Sequence, residues 1–226
     1  MLLIGMFDSP YVRRVVISMK RLGLPFEHRN WSVGADFERI RQYSPLGRVP
    51  VLVMDDGVVL VESAAILDAI DDLVGPARAL LPPAGASRRE ALRLMSLAIG
   101  AGEKARDVLY ERMVRPPEKY HEPWVARCRA QMHGALGELE KGSQHRTTGQ
   151  WLVDDRLTQA DITVACICTM LSESVDALGS GDHPYPALRA LVDRCEALPE
   201  FRATHSKWFA ADIKQLPAAA PRSRIP

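Results

Sequence analysis

The stretch Leu2-Leu3-Ile4-Gly5-Met6-Phe7-Asp8-Ser9-Pro10-Tyr11 decides the reading of this chain. A short apolar run passes into a pattern in which Val12, Val15, Val16 and Met19 recur at helical spacing, so the segment reads as a strand running into a helix. Ser9 then stands at the helix N-terminus, with Pro10 at the first helical position. A helix start leaves backbone N–H groups unpaired and carries a partial positive charge. A serine there has two readings. It can cap the helix by accepting a bond from the backbone, or its hydroxyl can donate to a bound anion such as a thiolate or phosphate. The local residues leave both open.

Moving outward, Gly23 is expected to stop the first helix before a second strand over Phe26 to Trp31. A polar stretch with helical character around Phe37 to Gln42 leads into Ser44-Pro45-Leu46-Gly47-Arg48-Val49-Pro50. Val51-Leu52-Val53-Met54 and Val58-Val59-Leu60-Val61 flank Asp55-Asp56-Gly57, a strong hairpin signal. Glu62 and Ser63 open a helix with Ala65, Ile66, Ala69, Ile70 and Leu73 on its apolar face, ended by Gly75-Pro76. The first 80 residues thus read as an α/β unit of order β-α-β-α-β-β-α.

The character changes at Leu80-Leu81-Pro82-Pro83-Ala84-Gly85, which reads as a linker over 81–86. From 87 to about 212 the patterns are all helical. Ser87-Arg88-Arg89-Glu90 fits a capping box ahead of a long helix to about Arg115. A second helix follows Pro123 to about Lys141, with Val125, Cys128, Met132 and Leu139 facing the core. Leu157-Thr158-Gln159-Ala160-Asp161-Ile162 is the sharpest helix start: Thr158 caps the N–H three residues on, Asp161 reaches back, and Leu157 staples onto Ile162. The helix it opens, through Val164, Ile167, Cys168 and Leu171, is apolar enough to be central. Shorter helices are expected near Ala187 to Ala197 and from Pro199, then a loosely ordered tail over 213–226, rich in Pro, Ala and Arg.

Composition excludes several classes of function. With 226 residues, 47% hydrophobic and 25% charged, the chain can bury a substantial core and is neither fibrous nor disordered. Twenty-nine basic against 28 acidic residues leave no global field for nucleic acid or an anionic membrane. No membrane-length apolar run or signal-peptide pattern is present, and a cytoplasmic location is expected. Cys128, Cys166, Cys168 and Cys195 have no metal or redox spacing and read as small buried hydrophobes. The histidines form no helical metal pair, so no metal site is expected.

The N-terminal unit is similar to the thioredoxin fold, and the chain up to its tail resembles the cytosolic glutathione S-transferases, in particular the bacterial, serine-type, theta- and zeta-like members. The resemblance rests on Ser9-Pro10 with Arg14-Val15 following, on Pro45-x-Gly47-x-Val49-Pro50-Val51-Leu52, on Glu62-Ser63, and on the Thr158-x-x-Asp161 box in an all-helical second domain. It implies a homodimer, a glutathione site in the first domain, and a site for a small electrophile between the domains. In such a site Ser9 favours the thiolate of glutathione by donating a hydrogen bond to sulfur. Glu62 faces the γ-glutamyl amine, and Ser63 offers its hydroxyl and N–H to the neighbouring carboxylate. Val49, joined to Pro50 by the family's cis bond, pairs its backbone with the cysteinyl part. Gln42, with Arg41 and Arg48 close by, is the candidate partner of the glycyl carboxylate.

Redox relatives resembling this fold carry a cysteine near the Ser9 position, and this chain has none in its first domain. Tyrosine-type transferases carry their tyrosine at the end of the first strand, where this chain has Met6 and Phe7. Tyr11, inside the first helix, reads as lining the site. For the electrophile, Arg106 and Tyr110, with Glu103, share one helical face that can point into the cleft, and Trp208 is a candidate cover or a packed core residue. Two alternatives stand beside conjugation: a glutathione-dependent isomerase or dehalogenase, of which the isomerase is weakened by the missing zeta double serine, and a non-catalytic binding or regulatory protein with the transferase fold.

Overall fold

The computed structural model describes residues 1–144, 151–175, 178 and 185–208. The first unit holds β1 (Leu2–Ile4), α1 (Pro10–Leu22), β2 (Glu27–Arg29), α2 (Phe37–Arg41), β3 (Val51–Val53), β4 (Val59–Val61) and α3 (Ser63–Val74). The strands form one sheet in the order β2-β1-β3-β4, with β1 parallel to β2 and antiparallel to β3, and β3 antiparallel to β4. Register follows the two-residue period of strands. Leu3 pairs with Leu52 and both join the main core, whereas Ile4 pairs with Val51 and both join Ile40 of α2 on the other face.

The second unit is helical: α4 (Gly85–Val114), α5 (Glu122–Gln144), α6 (Gln159–Val175), α7 (Pro186–Glu196) and α8 (Pro199–Arg202), with a 3-10 turn at Pro117–Lys119. This α/β unit with its helical partner is the fold the sequence implied. One apolar cluster runs through both units, from Leu3, Val12 and Ile66 to Ala98, Ile162 and Leu188. Helix α1 makes this continuity, because it packs on α3 of its own unit and on α6 of the other. Helix α6 is buried from Gln159 to Cys168, as its apolar sequence requires. All four cysteines are free and buried. Among the described residues no helix is long and apolar enough to cross a membrane, and no group of His, Cys, Asp and Glu could hold a metal ion.

Several local expectations are corrected. Strand β2 spans Glu27–Arg29, shorter than Phe26 to Trp31, because β1 offers it a three-residue partner. On α3, Ala65 and Leu73 face solvent while Leu67 and Asp71 are buried. Asp71 turns inward because its two oxygens accept the backbone N–H groups of Leu80 and Leu81, each at 2.9 Å, anchoring the start of the interdomain segment. Helix α4 begins at Gly85, inside the stretch read as linker, and no capping box forms. Ser87 donates instead to Asp154 at 2.6 Å, and Glu90 pairs with Arg93. At the start of α6, Asp161 does reach back to the Thr158 N–H at 2.8 Å and also accepts from Leu152 at 2.7 Å. Thr158, however, caps Ala160, two residues on. The expected tail over 213–226 lies outside the described residues.

Candidate functional site

Helix α1 starts where the sequence places it, with Ser9 at the N-cap position, extended at φ −72° and ψ 119°, and Pro10 inside. The half-buried Ser9 hydroxyl makes no capping hydrogen bond. Of the two readings of this serine, the structural role as cap is therefore not in use. The loop before it is held by Gly5, whose φ of 135° is a glycine conformation, and by His28, whose Nε2 lies 2.8 Å from the Gly5 carbonyl while its ring stacks on Phe7. A Cβ on Gly5 would sit 2.5 Å from Val12 Cγ2 and 2.9 Å from Val49 Cβ. The Val49–Pro50 segment, with its cis bond, thus lies directly against the Ser9 loop. Gly47 has a φ of 60°, and a Cβ there would overlap Phe37 Cε2, so both the backbone and the space call for glycine.

Ser63, buried, opens α3, preceded by Glu62 at a φ of 70°. Arg14, on the second turn of α1, is 1% exposed and donates to the Ser63 hydroxyl from Nε at 3.1 Å and Nη2 at 2.7 Å. Its Nη1 donates to Thr163 Oγ1 of α6 at 3.1 Å. The helix starts of α1 and α3 are therefore tied together by one guanidinium that also reaches the second domain. Burial lowers its pKa to about 10, against the field of neighbouring groups that include Glu62. The Glu62 carboxylate is exposed and lies 3.3 Å from Arg48, a surface pair of small energetic weight.

Tyr11 projects toward the second domain, where a Cβ on Gly102 of α4 would come 3.2 Å from its hydroxyl. That hydroxyl is buried without a hydrogen-bond partner. Burial, aided by Glu103, pushes its pKa up to about 12 against Arg106, Arg14 and Arg48, so at neutral pH it remains a protonated donor. Arg106 and Glu103 thus share an electrostatic environment with Tyr11. Tyr110 is 39% exposed farther along α4. Gln42, at the end of α2, is exposed, and the hydrogen bonds described for it are backbone bonds of that helix. Trp208 is half-buried against the core, and its backbone N–H donates to Glu173 Oε2 at 3.0 Å.

Residues 3–78 match the model of the glutathione S-transferase N-terminal domain, and residues 107–199 that of the C-terminal domain. The chain belongs to the glutathione S-transferase family. A relative of this chain in Escherichia coli (strain K12), the uncharacterized GST-like protein YibF, is 30% identical over 166 residues, 74% of this chain and 79% of that protein. A glutathione S-transferase from Methylobacterium radiotolerans, solved in complex with glutathione sulfonate, matches with a TM-score of 0.81 and 31% identity, over 90% of this chain and 93% of that one. A glutathione transferase family member from Pseudomonas fluorescens Pf-5, solved with bound glutathione, matches with a TM-score of 0.74 and 29% identity, over 90% and 97% of the two chains.

In the sequence Arg14 stands out only as a family landmark, and Thr163 not at all. A signal for burial of Arg14 lies in α1: Ile17 joins Val12, Val15, Val16 and Met19, more apolar positions than one face needs. On this helix Arg13 and Arg14 fall on the buried sides, while Arg21 in the last turn stays exposed.

Proposed function

We propose that this transferase binds reduced glutathione in the first domain and activates it through Ser9 for attack on a small electrophile held between Tyr11 and Arg106. The observation that carries this reading is the Ser9 hydroxyl, at a helix start yet not engaged as a cap. Donated to sulfur, it favours thiolate over thiol. A hydrogen bond to a charged group is worth about 1.5–3 kcal/mol, or roughly one to two pKa units. The thiolate then displaces a leaving group or adds to an activated double bond, with no covalent enzyme intermediate.

In this reading Ser63 and the start of α3 receive the γ-glutamyl carboxylate, Glu62 the adjacent amine, and Val49 the cysteinyl backbone. Arg48 or Gln42 meets the glycyl carboxylate. No metal takes part. The working form is a homodimer in the cytoplasm, where the glutathione pool is reduced. Exposed Val58 and Val59 at the sheet edge and Leu73 on α3 supply apolar surface for the second copy.

The test is a calorimetric titration of reduced glutathione into the purified protein near neutral pH, followed by conjugation assays with an activated aryl halide. Saturable binding of one glutathione per subunit, with conjugation reduced by Ser9→Ala, is the expected result. Binding without turnover on any electrophile would move the protein to the non-catalytic class. No binding at millimolar ligand would remove the chemistry altogether.

A further inference from the structure

Arg13 and Arg14 are neighbours on α1, both buried, and they solve the problem of a buried cation differently. Arg13 forks onto the Glu196 carboxylate. Arg14 has no carboxylate within ion-pair distance among the described residues, and its partners are the two hydroxyls of Ser63 and Thr163. Its field reaches Glu62, but that side chain is exposed and turned to Arg48. A buried charge without a countercharge is costly, and an anion beside it is correspondingly favoured.

The Ser63 hydroxyl has one proton and two acceptor lone pairs. Nε and Nη2 of Arg14 occupy the acceptor side. What Ser63 has left is its proton, and among the described residues that proton has no acceptor. The hydroxyl is buried and stands at the first turn of α3, where backbone N–H groups also point outward. The Ser63 proton and the free N–H groups of the first turn are thus donors left for a ligand.

We propose that Arg14 is a positioning residue that acts through Ser63: it locks the hydroxyl as a donor and makes the start of α3 a seat for a ligand carboxylate, braced from the second domain by Thr163. The inference rests on the glutathione reading above, in which the γ-glutamyl carboxylate takes that seat. Arg14 does not touch the ligand. It sets the polarity of the hydroxyl that does, and it makes occupancy of the seat depend on α6 being docked on α1.

A double-variant cycle tests this, with reduced glutathione titrated calorimetrically into the full chain as wild type, Arg14→Lys, Ser63→Ala and the two combined. Lysine keeps the charge but loses the fork. Each single change is expected to weaken binding about tenfold to a hundredfold, the range of a charge-assisted hydrogen bond. The combined variant should bind within about twofold of Ser63→Ala, since without the hydroxyl Arg14 has nothing to act through. Losses that multiply, or an Arg14→Lys protein that binds like wild type, overturn the inference while leaving the glutathione reading intact. Failure of the wild type to bind overturns both. Should Arg14→Lys not fold, Thr163→Val removes one anchor of the guanidinium without altering shape. It should weaken binding several-fold, and only when Ser63 is present; unchanged binding overturns the proposal.

Discussion

Arg13 and Glu196 close a two-bond fork between the domains, Nη1 to Oε1 at 2.7 Å and Nη2 to Oε2 at 2.6 Å. Nη2 also donates to the Phe201 carbonyl at 3.0 Å, and Thr169 donates to Oε1 at 2.7 Å. One guanidinium therefore fastens α1 to α7 and α8.

Breaking that fork should destabilise the protein strongly. Glu196→Gln leaves a buried guanidinium without its countercharge, at a cost of about 3 kcal/mol. In a chain of this size that lowers Tm by roughly 6–12 °C. Burial pushes the Glu196 carboxyl up, but the hydrogen bonds from Arg13 and Thr169 and the Arg13 charge outweigh it, and the net shift is downward from 4.5. A depressed folded-state pKa means that the stabilisation is complete above the ordinary glutamate range and is lost as pH falls through the folded value. Melts of wild type and variant should differ most at neutral pH and draw together as pH falls below the ordinary glutamate value of 4.5 and through the depressed folded value. A difference that stays constant from pH 7 to pH 3 would contradict the pair's role.

Ser9→Ala should leave stability almost unchanged, because no capping bond is lost. A working serine cap costs about 1 kcal/mol when removed, whereas here the expected change is under about 0.5 kcal/mol. Conjugation, in contrast, should fall about tenfold to a hundredfold through the lost thiolate stabilisation. Parallel melts and rate measurements separate the two. A lowered Tm with undiminished turnover would make Ser9 a cap after all.

Gly5→Ala is expected to be severe and Gly23→Ala mild. Both residues have positive φ, but a Cβ on Gly5 would meet Val12 and Val49 within 3 Å, while a Cβ on Gly23 meets nothing within 4 Å. Overpacking at Gly5 adds about 1–3 kcal/mol to a backbone penalty that at Gly23 stands alone at about 1–2 kcal/mol. Gly5→Ala should also weaken glutathione binding, since relief of the clash must move the Val49–Pro50 segment or the Ser9 loop. Equal Tm losses for the two variants would refute the close-approach argument.

The thiols should be unreactive in the folded protein. Burial pushes Cys166 and Cys168 up to about 12, and raises Cys128 and Cys195 as well. Against an ordinary thiol at 9.0, a shift to about 12 cuts the thiolate fraction near pH 8 by about a thousandfold, before access is considered. A disulfide reagent should label all four cysteines in denaturant and none on the same timescale natively. Rapid native labelling of any one would show that its region opens.

Much of this was legible locally. The hairpin around Asp55-Asp56-Gly57 and the Asp161 side chain reaching back to Thr158 appear where their residues demanded them, because each depends on groups close in sequence. The errors arose where a distant partner competed with a local one. Ser87 went to Asp154 instead of capping its own helix, and Asp71 turned inward to serve Leu80 and Leu81.

By itself the sequence determined the order of elements, the helix start at Ser9, the buried character of α6 and the family to which the chain belongs. The elements depend on hydrophobic period and on residues a few positions apart, and the family on the resemblance carried by four short motifs in order along the chain, all of which a one-dimensional pattern carries. Only the tertiary structure decided that Arg14 fills the acceptor side of Ser63, 49 residues on, and reaches Thr163, 149 residues on, while its neighbour Arg13 is matched to Glu196. A buried charge must find its partners wherever the fold brings polar groups within about 3 Å, and that distance is set by packing rather than by spacing along the chain.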